Sequence, residues 1–199
     1  GLGDPPDIDK VGRRREMHPT VGFKLDVAPS WTQEIMDRVA AVEGVATIDF
    51  KGQYGLEVED EAALLAMYER TVATFGEAVF EDPHDHPAVL ELLGPISDRV
   101  SYDAPITSVE SIAATPIAVR IVNVKPCRVG RLEELSRLYA HCESAGIRMY
   151  NGGMGELGPG RGQAQLLASL FHPDAPNDIA PSDYNLEEPP PGLPPSPLD

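Results

Sequence analysis

The chain has 199 residues, 42% hydrophobic and 24% charged, enough apolar material to bury a core and too much for a disordered tail. Its 32 acidic residues outnumber 16 basic ones, and the formal net charge of -16 excludes a general nucleic-acid binder, whose phosphate contacts need clustered Lys and Arg. No apolar run approaches the ~18 residues of a membrane helix, and GLGDPPDID contains no signal-peptide core, so a soluble protein is expected.

From the N-terminus, Asp4, Pro5, Pro6 and Asp7 form a helix start, and IDKVGRRREM makes a short polar helix that ends before Pro19. Its Arg13, Arg14 and Arg15 read as a solvated helix face rather than a binding patch. TVGFKLDV, at 20–27, is a strand with Lys24 and Asp26 on one face. Ser30 with Gln33 is a capping box, and Trp31, Ile35, Met36, Val39 and Val42 are the apolar stripe of a helix running to Gly44. A second strand at 45–51 carries Asp49 and Lys51 on one face. After an acidic linker, 62–75 is a strongly periodic helix. In AVFEDPHDH a third apolar run closes at Glu81, followed by Asp82 and Pro83.

A helix at 86–93, a strand at 100–103 ending in Asp103, and a helix at 108–114 stopped before Pro116 come next. Residues 118–125 are rich in β-branched side chains, the mark of a strand covered on both faces, and end at Lys125. A helix at 132–145 stops at Gly146, the expected C-terminal position. A strand at 147–150 opens into NGGMGELGPGRG, a helix follows at 163–171, and 177–180 is a last short strand carrying Asp178. The Pro-rich tail, 186–199, has PxxP spacing but reads first as an extended segment beyond a single domain over 1–185.

Alternating strands and helices point to an α/β fold with a parallel sheet. In barrels of this class the chemistry sits at the C-terminal ends of the strands. Asp49, Glu81, Asp103 and Lys125 each close a strand-like run, so three acids and an amine are expected at one rim.

Several motifs read more blandly. His84 and His86 are two apart, yet no third ligand lies nearby, so they read as loop residues. GPGRG lacks the order of a phosphate loop and reads as a glycine-rich helix entry. Glu156 is open between positioning a substrate and capping the next helix, and Asp178 between a substrate contact and a turn residue. Cys127 reads as a small core residue, and His18 and His172 as helix-terminal residues. With Cys142, the two thiols are expected free in a reducing cytoplasm.

The ordered set FKLD, TIDFKG, FEDP, SYDAPITSVESIA, VNVKPCRVGRL and GGMGELGPGRG with LLASLF resembles the enolase superfamily, in its muconate lactonizing enzyme and o-succinylbenzoate synthase branch. The resemblance implies a (β/α) barrel of the TIM type, here incomplete at its N-terminal end, with no counterpart to the first strand or to the family's capping domain. It implies Mg²⁺ held by Asp49, Glu81 and Asp103, and Lys125 as general acid or base.

Lys24 and Asp26 stand where the family carries Lys-x-Lys, so both are catalytic candidates. A carboxylate in the second lysine's place disfavours two-base racemisation, and leaves a one-base elimination or a reaction in which Asp26 moves the proton. Lys51, Glu156 and Asp178 are candidate substrate contacts, and the ammonium of Lys51 is also placed to neutralise the acids.

The implied chemistry suits these residue types. Removing a proton α to a carboxylate makes an enediolate, which a divalent cation neutralises through oxygen ligands. An amine beside that cation gives up its own proton more easily. The expected function is a lyase or isomerase acting on a small carboxylic acid, either as a homo-oligomer or joined to a separate capping segment. The alternative is a non-catalytic barrel, a scaffold or regulatory subunit in which lysines replace the metal.

Overall fold

A computed structural model describes residues 2, 6–55, 58–180 and 182–193. Strand and helix alternate along two compact units, Gly1–Val100 and Ser101–Asp199. The proposed helix start at Asp4 and Pro5 and the tail beyond Leu193 lie outside the described residues.

In the first unit α1 (Ile8–Met17), β1 (Phe23–Asp26), α2 (Gln33–Ala40), β2 (Val45–Asp49), α3 (Glu61–Thr74), β3 (Val79–Glu81) and α4 (Pro87–Leu93) follow in order, and a 3₁₀ segment, Gly94–Arg99, closes it. β1 pairs with β2 and β2 with β3, both parallel, in a register that sets Asp26 beside Asp49 and Asp49 beside Glu81. Side-chain caps start three of the helices. Asp7 accepts from the Lys10 N–H at 3.1 Å, Thr32 from Ile35 at 3.3 Å, and Asp60 from Ala63 at 2.9 Å.

The expected capping box at Ser30 is therefore displaced. The Trp31 N–H bonds the Ala28 carbonyl at 2.9 Å, a turn that buries the indole and delays the helix until Thr32 supplies its cap. Gln33, the first helical residue, reaches instead to Asp37 at 2.7 Å and Thr74 at 2.9 Å. Met36, Val39, Met67, Tyr68 and Phe75 form the buried stripes of α2 and α3.

β4 (Val100–Tyr102) starts at the last residue of the first unit, and the second unit continues with α5 (Val109–Ala113), β5 (Ile121–Val124), α6 (Pro126–Val129), α7 (Leu132–Ala145), β6 (Arg148–Asn151) and α8 (Pro159–Phe171), with a 3₁₀ turn at Ser182–Asn185. β4, β5 and β6 are parallel, with Ser101 beside Ile121 and Asn123 beside Tyr150. α7 ends at Gly146, whose φ of 67° is open to glycine without strain.

Three expectations need correction here. One-turn α6 was not expected, although Pro126 at its first position is a helix-start signal. That turn carries Cys127 outward, so this thiol is exposed rather than in the core; both cysteines are free. Residues 177–180 form no ladder strand. They make one bridge, Gly152 to Asp178, because the Asn177 side chain takes the Asn151 N–H at 2.8 Å and Ile179 packs on Ala164 and Ala168 of α8.

His172, just past α8, is 4% exposed, meets Tyr139 edge-on with centroids 5.0 Å apart, and has no hydrogen-bond partner for Nε2 among the described residues. Burial pushes its imidazole down from 6.5 to about 4. The unfolded chain takes up this proton near pH 6.5 and the fold does not. Stability is therefore full above that pH and is lost between 6.5 and about 4, on the order of 3 kcal/mol. Urea midpoints measured from pH 7 to pH 4 are expected to fall less for His172→Phe than for the wild type. Equal slopes would show that the imidazole is not held neutral.

Candidate functional site

Parallel register and the two-residue period of a strand place Lys24 and Asp26 of β1, Asp49 of β2 and Glu81 of β3 on one face of the strands of the first unit. Asp49 and Glu81 are fully buried, where a carboxylate persists only with partners. The partners are lysines. Lys24 Nζ lies 3.0 Å from Asp49 Oδ2 and bonds Glu81 Oε1. Lys51 bonds Asp49 Oδ2 through Nζ and Oδ1 through its backbone N–H at 3.0 Å, and its ammonium is 3.3 Å from Asp26.

Burial alone would raise the Asp49 carboxyl. The charge of Lys24 and the hydrogen bonds and charge of Lys51 outweigh it and hold the group below 3.8. Burial would likewise lower Lys51, but the hydrogen bond to Asp49 and the charges of Asp49 and Asp26 raise it well above 10.5.

A third buried acid belongs to this cluster and was not among the expected site residues. Asp82 has a φ of 47°, which brings its carboxylate to the same place as the preceding one. Oxygens of Asp49, Glu81 and Asp82 all lie within 4.8 Å of one another. The FEDP motif was the signal. The loop after β2 is pinned over it. The Phe50 N–H donates to the Glu81 carbonyl at 3.0 Å and the Gly52 N–H to that of Asp82 at 2.8 Å, and a Cβ on Gly52 would sit 2.3 Å from His84 N. Hard, anionic, buried oxygen donors so close together fit Mg²⁺ or a similar divalent cation. His84 and His86 bond each other, the His86 N–H donating to His84 Nδ1 at 3.0 Å, in keeping with loop residues.

The second unit holds the other expected group. Lys125, at the end of β5 and the N-terminus of α6, donates to Asp103 Oδ2 at 2.8 Å, and Arg128 takes Oδ1 at 2.6 Å and the Asp103 carbonyl at 2.5 Å. Arg128 was also missed, because its reach depends on the α6 turn. On the same face the hydroxyls of Ser101 and Tyr150 are 3.0 Å apart. Asn123, fully buried two residues before Lys125, has neither its amide oxygen nor its nitrogen bonded among the described residues. Gly152 permits this packing: a Cβ there would be 2.6 Å from Asn123 Oδ1 and 2.7 Å from Lys125 Cε.

Glu156 is not a helix cap. Its Oε2 accepts from the Met154 N–H at 2.8 Å, and Gly158 occupies the cap position of α8 without a side-chain bond. Burial raises its carboxyl, but a bond to Cys127 and backbone bonds bring it below 4.5. Asp178 sits at the single bridge to Gly152. Asp49, Glu81, Lys24, Asp26 and Lys51 are thus brought together in the first unit, and Asp103 and Lys125 in the second.

This architecture has counterparts. An N-succinylamino acid racemase of Thermus thermophilus is 31% identical over 195 residues, 94% of this chain and 52% of that protein. An o-succinylbenzoate synthase of Geobacillus stearothermophilus is 28% identical, over 91% of this chain and 42% of that protein. The chain thus spans about half the length of the curated relatives it matches. An enolase-superfamily member from Listeria innocua superposes with a TM-score of 0.69 at 21% identity, over 88% of this chain and 47% of that one. A dipeptide epimerase from Methylococcus capsulatus, solved with a Mg ion, gives 0.60 at 25% identity over 85% and 50%. The chain therefore has the α/β fold of part of that superfamily's barrel domain, as expected of an incomplete barrel, and no helix among the described residues is long and apolar enough to cross a membrane. Residues 1–186 match the family described as "Domain of unknown function (DUF8230) C-terminal domain", and the chain belongs to that family, with the fold of the enolase-superfamily barrel domain.

Proposed function

We propose that this chain carries the proton-transfer chemistry of an enolase-type isomerase or lyase acting at the carbon α to a carboxylate. The observation that carries the reading is the set of buried acids at the ends of adjacent parallel strands, Asp49 and Glu81 with Asp82 beside them. Asp49 and Glu81 are the proposed ligands of a divalent cation, and the resemblance adds Asp103. When bound, the cation would supply positive charge to the two oxygens of the enediolate.

Lys125 moves the α-proton, and its Nζ bond to Asp103 aims the amine. Lys24 holds charge balance on Asp49 and Glu81. Asp26 remains the candidate for a reaction in which it moves the proton itself, and Glu156 and Asp178 for substrate contacts. The relatives' names put N-acylated amino acids and dipeptides first among substrates to try.

Deuterium uptake at the α-carbon from D₂O reads abstraction followed by reprotonation, as in an isomerisation, and the appearance of an unsaturated acid reads an elimination. The expected result is Mg²⁺-dependent uptake or elimination with at least one N-succinyl amino acid or dipeptide, together with a Mg²⁺-induced rise in melting temperature that Glu81→Gln removes. One feature favours a second reading: Lys24 and Lys51 already neutralise the acids, as in a metal-free scaffold. That reading requires a melting temperature indifferent to Mg²⁺ and no uptake or elimination with any substrate of the panel.

A further inference from the structure

We infer that Lys51 is the resident counter-cation of the acid cluster, and that a divalent cation binds Asp49 only as the Lys51 ammonium leaves it for Asp26. The inference rests on the reading of Asp49 and Glu81 as cation ligands.

Asp49 is fully buried, and both its oxygens are engaged: Oδ1 by the Lys51 N–H at 3.0 Å, Oδ2 by Lys24 at 3.0 Å and by the Lys51 ammonium. A divalent ion approaching Oδ2 would meet two ammonium groups at contact distance, and like charges at that range oppose binding strongly. One must move. Lys24 is the poorer candidate, because its side chain is 15% exposed and bridges two buried acids. The Lys51 side chain is 38% exposed and already touches a second acid, Asp26, which is itself 50% exposed. Moving from Asp49 to Asp26 therefore keeps the ammonium paired and brings it nearer water.

The backbone does not need to follow. Lys51 is held at a φ of 56°, its N–H is tied to Asp49, and Gly52 is wedged against the backbone of His84. The exchange is a side-chain rotation beside the Tyr54 ring, whose centroid is 5.7 Å from Nζ. On this account Lys51 sets the cation affinity of the site, and Asp26 is the place where the displaced charge is kept.

The test is calorimetric titration of Mg²⁺ into the whole protein at fixed pH and salt. Lys51→Met is expected to bind Mg²⁺ at least ~10-fold tighter than the wild type, since close charge pairs couple by that much or more. Lys51→Arg, which keeps the cation, is expected to stay near the wild type. Asp26→Asn should weaken binding while Lys51 is present and have no effect in the Lys51→Met background, a coupling that independent sites would not show.

Unchanged or weaker binding in Lys51→Met overturns the inference, as does an equal Asp26→Asn effect in both backgrounds. If Lys51→Met does not fold, Asp26→Asn against the wild type decides, and unchanged affinity overturns it. A wild type that binds Mg²⁺ with no gain in Lys51→Met leaves the proposed function standing and this inference false. Binding seen only in Lys51→Met does the reverse, and no binding in either rejects both.

Discussion

Lys125→Ala is expected to lower α-deuterium uptake by ~10²–10⁴-fold, the usual worth of a positioned acid or base, while the protein still folds. The amine is 6% exposed, at the end of β5, and its Nζ is aimed by Asp103 at 2.8 Å. Removing it does not orphan that acid, because Arg128 still holds Oδ1 at 2.6 Å and the Asp103 carbonyl at 2.5 Å. The loss should therefore appear in turnover far more than in melting temperature. Lys125→Arg should fail as well, since a guanidinium is always protonated and accepts no proton. Uptake within tenfold of the wild type in a folded Lys125→Ala protein would remove Lys125 from the chemistry.

Asp49→Asn should cost on the order of 3 kcal/mol of stability with chelator present, the low end for breaking a buried pair. The neutral amide leaves Lys24 facing Glu81 alone and takes the stronger of two acids from Lys51, whose share is discounted because its side chain is more than a third exposed. The pH window follows from the direction of the shift. The Asp49 carboxyl is held below 3.8 in the fold, so its stabilisation is complete above that value and is lost as pH falls through the folded value. Urea unfolding should show a constant gap between wild type and Asp49→Asn from pH 8 to pH 5 that closes only below about pH 4. A gap that narrows between pH 8 and pH 5 would mean another group carries the effect. The His172 effect, between pH 6.5 and about 4, lies above this range and is separable from it.

The two predictions draw on different levels of the molecule. Lys125 was recognisable along the chain because a β-branched run ends there and a proline follows. That lysines could neutralise the strand-end acids was legible too; that two of them converge on Asp49 was not. Lys51 lies two residues from Asp49, but Lys24 comes from β1, and only the β1–β2 register, Asp26 beside Asp49, brings its ammonium to the same carboxylate.

Other misses have equally local causes. Asp82 follows Glu81 directly, so a two-residue period sends it to the opposite face; its positive φ returns it to the cluster, and sequence patterns do not report that angle. The turn at Ala28 and Trp31 moved the α2 cap from Ser30 to Thr32, a choice between two good capping residues that burial of the indole decides.

The amino-acid order by itself determined the alternation of strands and helices, the full span of Leu132–Ala145 before its glycine stop, and the acids and lysine that close the strands, because hydrophobic periodicity and capping chemistry act over a few residues. Tertiary structure decided which of those charges meet: Lys24 and Lys51 at Asp49 in the first unit, Lys125 and Arg128 at Asp103 in the second. Ion pairing depends on register and on single backbone angles between residues distant in the chain, and neither is written in local pattern.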